Sequence, residues 1–452
     1  MKNLLFYIIL LLAAVFFEDP ITTSVITLVI LVTYLLGKVK SFKTGGVDPM
    51  TIYALFSLVT TLSNISLFWK YSKGLSLVAY SYYIPEYGQL SALIWAIGTA
   101  GTIIGFDIIK DRPSTKIVLI VRKKKIYTYL YLASIVLLLS KYFYRFNTLG
   151  SITDFFYLVP FLTIFFLARI GYRTGDVAVQ NQAYVLTILA TGLGVLYGIL
   201  RFEFVIAILV FLLGAYLGGK KLSIFFNIRY LPVVLFIFLF TVFFEFFGER
   251  RSTMSRGVSR IDEFSYEAAT AERNVEQEFS AFDRLAGVAQ ISNAVSIREQ
   301  SEENAAESIA PLFTAMIPRF LWPEKPKIAL GVWFAVKMGV GMEQGDWYNT
   351  SINMTIPGHA YLGFGMIGLI VCSILFGMFI GFLWTKIDYA DVHNLAGGVL
   401  YGYLMYLALG GFGADLQIVV TMTAIYLLVL FTTTLFKTRN ENTLRRPHMA
   451  RQ

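Results

Sequence analysis

The densest run of charge in this 452-residue chain lies in one stretch, 248–357, set between long apolar runs. Arg250, Arg251, Arg256 and Arg260 stand where that stretch begins, and Arg284 follows Asp283 further along. Beyond them lies a proline-stiffened segment, Ile317-Pro318-Arg319-Phe320-Leu321-Trp322-Pro323-Glu324-Lys325-Pro326-Lys327, and then His359 at the mouth of the next apolar run. Upstream, Arg201 sits between Leu200 and Phe202, with Glu203 two residues on. A guanidinium stays charged, and its fork pairs bidentately with phosphate oxygens. A neutral imidazole or a carboxylate can take the proton of an attacking hydroxyl. His359 is the candidate base, with Glu203, Glu324 and Asp346 as rivals. Trp333, Trp347 and Tyr348 offer flat faces of the kind that stack on sugar rings.

Each of these residues also has a plainer reading. Arg201 could snorkel to lipid headgroups or pair with Glu203. Phe320 and Trp322 fit an interfacial aromatic belt, with Arg319 among the headgroups. Arg284 could form a structural ion pair with Asp283 or Glu278, and Lys325 and Lys327 could be solvated loop lysines. The arginine run from Arg250 to Arg260 suits headgroup contact. His359 could be a hydrogen-bonded residue of a helix start, and interfacial burial accounts for the aromatic side chains as well.

The elements that must position these groups are membrane helices. Hydrophobic residues make up 56 % of the chain and charged residues 15 %, an excess of apolar surface that one soluble core cannot hide. A span needs roughly 20 mostly apolar residues. The candidates are 4–17, 21–36, 50–68, 89–109, 126–139, 154–168, 183–200, 202–217, 230–247, 358–384, 395–409 and 415–435. The expected fold is an all-α polytopic membrane protein with about twelve spans. It divides into an N-terminal bundle of nine spans (1–247), the loop (248–357), three C-terminal spans (358–436) and a basic tail (437–452).

Lys and Arg favour cytoplasmic loops. They gather after the second, fourth, sixth, eighth and twelfth spans, for example at Lys38, Lys110, Arg169, Lys220 and Lys437. Every second loop is therefore cytoplasmic, both termini face the cytoplasm, and the large loop lies outside. The net charge of +9 reflects this bias and needs no nucleic acid to explain it. The first apolar run lacks a small-x-small cleavage site and reads as one arm of a retained hairpin. Cys372 is the single cysteine, so an intrachain disulfide is excluded. His359, His393 and His448 are too scattered for a metal cluster.

Within the loop, 261–298 reads as an amphipathic helix lying on the bundle top or the membrane interface, with Phe264, Ala268, Ala271, Val275 and Phe279 on one face. The polar stretch 299–308 should break it, and 311–316 should form a short helix stopped by Pro318. Gly363, Gly365 and Gly368 read as packing residues in the tenth span.

Taken together, four features resemble the Wzy-type O-antigen and exopolysaccharide polymerases. They are the outer loop after span nine, Phe282-Asp283-Arg284-Leu285, the run from Ile317 to Pro326, and Pro357-Gly358-His359-Ala360-Tyr361-Leu362-Gly363-Phe364-Gly365-Met366-Ile367-Gly368. Arg201-Phe202-Glu203 is similar to the arginine site those proteins carry before span eight. Related chains often have a glutamate near the position of His359. The resemblance implies a GT-C-like integral-membrane glycosyltransferase, a fold shared with the O-antigen ligases, in the bacterial inner membrane. It implies transfer of a growing chain from one undecaprenyl-diphosphate carrier to the next lipid-linked repeat unit, with no cofactor, metal or nucleotide sugar. A flippase and a chain-length regulator are the partners it implies. On this reading Arg201, Arg250, Arg284, Arg319, Lys325, Lys327 and Tyr348 bind diphosphate or sugar, and His359 or Glu203 handles the proton.

Three other readings compete. An O-antigen ligase would share fold and donor and differ in acceptor. A secondary transporter also suits about twelve spans, although the chain shows no internal repeat. A non-catalytic scaffold for envelope assembly would tolerate replacement of the loop arginines.

Overall fold

The computed structural model describes residues 2–44, 47–74, 83–121, 124–143, 158–197, 202–219, 285–314, 322, 330–339, 343–344, 347–348, 352–413 and 415–449. Its helices are α1 (Lys2–Phe16), α2 (Pro20–Thr44), α3 (Pro49–Ser72), α4 (Gly88–Ile109), α5 (Lys124–Phe143), α6 (Val159–Thr174) and α7 (Val177–Tyr197). They continue with α8 (Phe202–Leu217), α9 (Gly287–Gln300), α10 (Glu302–Thr314), α11 (Leu330–Lys337), α12 (Ile356–Lys386), α13 (Leu395–Leu409) and α14 (Ile418–Met449). A two-residue hairpin pairs β1 (Glu343–Gln344) with β2 (Trp347–Tyr348).

Eleven of the twelve expected spans coincide with helices, and the twelfth, 230–247, lies outside the described residues. Among the described residues, five helical stretches are long and apolar enough to cross a membrane: Pro20–Val39, Pro49–Ser72, Pro85–Ile109, Ile356–Lys386 and Ile418–Leu435. Shorter apolar helices occur at Phe6–Phe16, Ile206–Leu217 and Leu395–Leu409.

The centre of the molecule is the pair α4–α12, which packs without side chains between the two backbones. A methyl group on Gly105 would overlap the Ile374 carbonyl, and one on Gly377 would overlap the Thr102 carbonyl. Gly98 faces the Pro357 ring, which also leaves no room for a methyl group. Glycines at these positions let two apolar helices approach to backbone contact, where dispersion and weak polar contacts replace the hydrophobic drive that lipid cannot supply. Helices α2 and α3 pack on this pair, while α6, α7 and α8 form a second group that joins through α13.

The end of the bundle carrying the basic turns is tied by caps and short bridges. Asp48 caps α3 by accepting from the Thr51 N–H (2.8 Å) and also holds Lys38 (2.6 Å), with Pro49 at the first helical position. Asn394 caps α13 through the Gly397 N–H (3.2 Å) and at the same time accepts from the Leu119 N–H (2.9 Å). Its amide donates back to the Ile117 carbonyl (2.9 Å). One asparagine thus fixes the 110–121 turn onto the start of α13.

The loop departs from expectation in three ways. The helix expected over 261–298 falls outside the described residues up to 284, and its described end is a separate helix. Leu285 and Ala286 are outside the α-helix, Ala286 having extended φ/ψ, and α9 starts at Gly287. That helix is not amphipathic on a surface. Val288, Ala289, Ile291, Ala294, Val295 and Ile297 are all buried, because α9 is inserted between α3, α4 and α12. The polar stretch 299–308 does not end helical structure. Only Ser301 is extended, and α10 begins at once with Glu302 and Glu303 in its first turn, where acidic side chains suit the helix dipole. Pro311 lies inside α10, near its end, where one lost N–H costs little of the remaining ladder.

Candidate functional site

Where α9 enters the bundle it leaves a cavity of about 150 Å³. Tyr53, Phe56 and Thr60 of α3 and Trp95 of α4 form one wall. Gly287 and Gln290 at the start of α9 form a second, with Leu285 just before them. Asn353, Thr355 and Pro357 line it at the start of α12, the glycines Gly410, Gly411 and Gly413 line it opposite, and the cavity is partly open to the surface.

The backbone at this cavity is unusual in two places. Thr355 has φ 63° and ψ 151°, a conformation β-branched residues rarely adopt. It is held there by its N–H donating to Asn353 Oδ1 (2.7 Å), by its Oγ1 accepting the Gly358 N–H (3.1 Å), and by its carbonyl accepting the His359 N–H (3.0 Å). Phe412, with φ 65°, sits inside a turn whose neighbours Gly411 and Gly413 are also left-handed. The Phe412 ring is fully buried against Tyr53 (5.3 Å) and Phe376 (5.8 Å), and that anchor is what holds the turn. Strain of this kind, held in place by surrounding bonds, concentrates at ligand clamps and active sites.

The polar groups are asymmetrically satisfied. Trp95 Nε1 donates to Thr61 Oγ1 (2.9 Å), which leaves the indole face to the cavity wall. Asn64 Oδ1 accepts the Val288 N–H (3.3 Å), fastening α9 to α3. The Gln290 amide nitrogen faces the carbonyls of Ala286 (2.8 Å) and Gly287 (3.1 Å), so its oxygen is left to accept. The Thr60 hydroxyl is buried with no partner, on a residue only 3 % exposed.

Of the residues proposed in the sequence as catalytic or substrate-binding, the side chain of His359 is described, and it is wholly buried. Its Nδ1 accepts the Leu416 N–H (3.1 Å), which fixes the neutral tautomer with the proton on Nε2, and Nε2–H donates to the Ser308 carbonyl (3.0 Å). The ring therefore links α10, α12 and the approach to α14, and both nitrogens are occupied by main chain. Acting as a base would require the Nδ1 bond to Leu416 to open, since Nε2 already carries the proton. Glu203 lies in the first turn of α8 and Tyr348 in β2, with their side chains outside the described part. Arg201, Arg250, Arg284, Arg319, Lys325 and Lys327 lie outside the described residues, as do Glu324 and Asp346. Trp333 is taken up by structure: its Nε1 donates to Glu307 (2.9 Å), and Lys337 lies over its ring (5.6 Å).

A second feature lies a few residues further along α12. Gly365 has φ 70° and ψ −164°, which interrupts the helix within its membrane-length span. Arg298, in the last turn of α9, donates from Nη1 to the Leu362 carbonyl (2.6 Å) and lies 6.0 Å from the centre of the Tyr361 ring. The guanidinium thus satisfies a carbonyl that the break leaves without its helical partner. Gly363 packs on Ile309 as the spacing suggests, but Gly365 serves the break and not a helix contact.

Sequence reasoning passed over Tyr53, Thr60, Trp95, Gln290, Thr355 and Arg298. One signal for them was present: Thr60-Thr61-Leu62-Ser63-Asn64 puts four polar side chains in the middle of an apolar span. Such residues face partners or a cavity and seldom face lipid. Among the described residues, no group of three His, Cys, Asp or Glu side chains could hold a metal ion.

These helices define the class, an all-α protein with several apolar helices of membrane-spanning length. No protein-family model, no curated protein and no solved structure matches the chain.

Proposed function

We propose that this protein is a metal-independent membrane glycosyltransferase that polymerises undecaprenyl-diphosphate-linked oligosaccharide repeat units, with the large loop on the outer face of the bacterial inner membrane and both termini cytoplasmic. The observation that supports it is the insertion of loop helix α9 between α3, α4 and α12, over a cavity with aromatic and polar walls. A loop that only joined two spans would have no need to enter the bundle.

In the proposed reaction a hydroxyl of the acceptor's non-reducing sugar attacks the anomeric carbon of the donor chain. A new C–O bond forms, and the bond from that carbon to the diphosphate oxygen breaks. The electron pair leaves with undecaprenyl diphosphate, and the hydroxyl proton passes to a base. The arginines of the loop and of the α8 approach, Arg201, Arg284 and Arg319, suit the negative charge that grows on the leaving group. Charged hydrogen bonds of this kind are worth about 1.5–3 kcal/mol each. His359 is the proposed base only if its Nδ1 is released from the Leu416 N–H when substrate binds. Otherwise Glu203 takes that role.

The interrupted helix α12 favours one other reading, a secondary transporter, since broken spans are how transporters form substrate sites. Purified protein in nanodiscs, supplied with lipid-linked repeat units and no nucleotide sugar, separates the two. A ladder of lengthened glycolipid that is lost in Arg201→Ala and Arg319→Ala supports the polymerase. Absence of a ladder with authentic substrate, together with transfer to a lipid A acceptor, would support a ligase. Substrate flux into proteoliposomes without either product would support a transporter.

A further inference from the structure

The cavity below α9 presents three aromatic side chains, Tyr53, Phe56 and Trp95, and no lining residue carries a charge. Its polar groups are neutral hydroxyls and amides at Thr60, Gln290, Asn353 and Thr355. From this we infer that the cavity is the seat of one uncharged sugar ring, the non-reducing terminal ring of the acceptor, and not of the diphosphate. The inference rests on the polymerase reading and deepens it.

Size, wall chemistry and charge each contribute. A cavity of about 150 Å³ is the size that holds a single six-membered ring. A pyranose has apolar C–H faces and a rim of hydroxyls, so it can lie on the aromatic wall and the Thr60 methyl while its rim meets the Gln290 and Asn353 side chains. Pockets of this composition, mostly apolar with a few convergent polar groups, are the common form of small-molecule sites. A lipid tail would leave those polar groups buried and unpaired, at about 1–3 kcal/mol each.

Among the described residues, an anion finds no partner here. The N–H groups at the two helix starts are largely committed: Val288 to Asn64, Ala289 to Ala286, and Gly358 and His359 to Thr355. Pro357 has no N–H to give. The donor's reacting sugar is bonded to diphosphate and would carry that charge in with it. The acceptor's non-reducing end is the ring farthest from its own diphosphate, so it is the ring that suits an uncharged cavity.

Gly287 provides the test. A methyl group there would lie at 3.4 Å from Trp95 and 3.5 Å from both Thr60 and Thr355, in ordinary contact, so Gly287→Ala keeps the fold and narrows the cavity. Gly287→Leu fills it, and Gln290→Met removes the accepting amide oxygen at nearly constant length. The probe is the repeat-unit oligosaccharide released from its diphosphate carrier by mild acid. Its binding to protein in nanodiscs is followed by saturation-transfer NMR, beside inorganic pyrophosphate. The expected result is binding to the wild type, weakened roughly 3–10-fold by Gln290→Met, as one hydrogen bond predicts. Binding should weaken step by step through Gly287→Ala and be lost in Gly287→Leu, with pyrophosphate binding unchanged throughout.

The inference is overturned if the oligosaccharide does not bind, if all three variants bind it like the wild type, or if Gly287→Leu loses pyrophosphate. Its failure is distinguishable from that of the proposed function. A glycolipid ladder with cavity variants that bind normally removes the sugar seat and leaves the polymerase. Cavity-dependent sugar binding without a ladder removes the polymerase and leaves the seat.

Discussion

His359 shows how little a residue type says about its role. In the sequence it is a histidine at a span mouth, beside residues that resemble a polymerase motif. In the fold its two nitrogens hold Ser308 and Leu416, whose main-chain groups are buried. His359→Ala would leave a carbonyl and an N–H unpaired, a cost of roughly 1–3 kcal/mol for each. We expect a lowered thermal midpoint for that variant in detergent. Glutamine can still donate and accept, so His359→Gln should recover part of the loss. A His359→Gln protein with the wild-type midpoint and no polymer would identify the imidazole as the base. Position along the chain made His359 visible, whereas its occupied ring nitrogens depend on Ser308 and Leu416, which are 51 and 57 residues away.

At the scale of elements, the α4–α12 contact governs the rest. Gly98, Gly101, Gly105, Gly377 and Gly381 were visible as small residues in apolar spans, but not as partners, since the helices are separated by the whole loop. Gly105→Val must push the Ile374 backbone away. Overpacking of this sort costs typically about 1–3 kcal/mol, and the folded yield and melting temperature of the variant should fall accordingly. Gly37→Val, where open space surrounds the Cβ position, is the control that should change little.

The loop elements carry a pH-dependent tie. Glu307 of α10 accepts from Trp333 Nε1 and pairs with Lys337 (3.0 Å) of α11, and these bonds hold its carboxyl below its ordinary pKa near 4.5. A depressed carboxylate pKa contributes stability that is complete above the ordinary value and lost as pH falls through the lowered one. Amide protection factors across α10 and α11, taken relative to the intrinsic exchange rate at each pH, should therefore fall on acidification below that value, and Lys337→Met should weaken the response. Protection factors indifferent to this change would mean that the tie carries no weight, as exposed pairs often do.

For the whole molecule, the arrangement proposed is a membrane bundle closed by its own loop. The proposed transfer uses charge from arginines and a proton acceptor, and the described residues offer no acidic or histidine cluster to bind a metal. Polymer formation in nanodiscs is expected to persist in the presence of a strong chelator. Abolition by chelator and recovery on adding Mg²⁺ would place the donor set in the segments around Arg319 or Asp346, outside the described residues.

Hydrophobic run lengths determined by themselves that the chain forms apolar helices, with the starts of those described placed to within about six residues. Local rules suffice there: about 20 apolar residues, an Asp48-Pro49 cap and an Asn394 cap each act within one turn. The sequence also located the loop as the place where charge departs from the helical background. Only the tertiary structure decided that α9 enters the bundle, that Gly365 breaks α12, and that Thr60, Trp95 and Gln290 face one cavity. These depend on pairings between residues hundreds of positions apart, such as Asn64 with Val288. Apolar periodicity cannot encode such pairings in lipid, because every face of a span is apolar whether it meets a neighbour or the membrane.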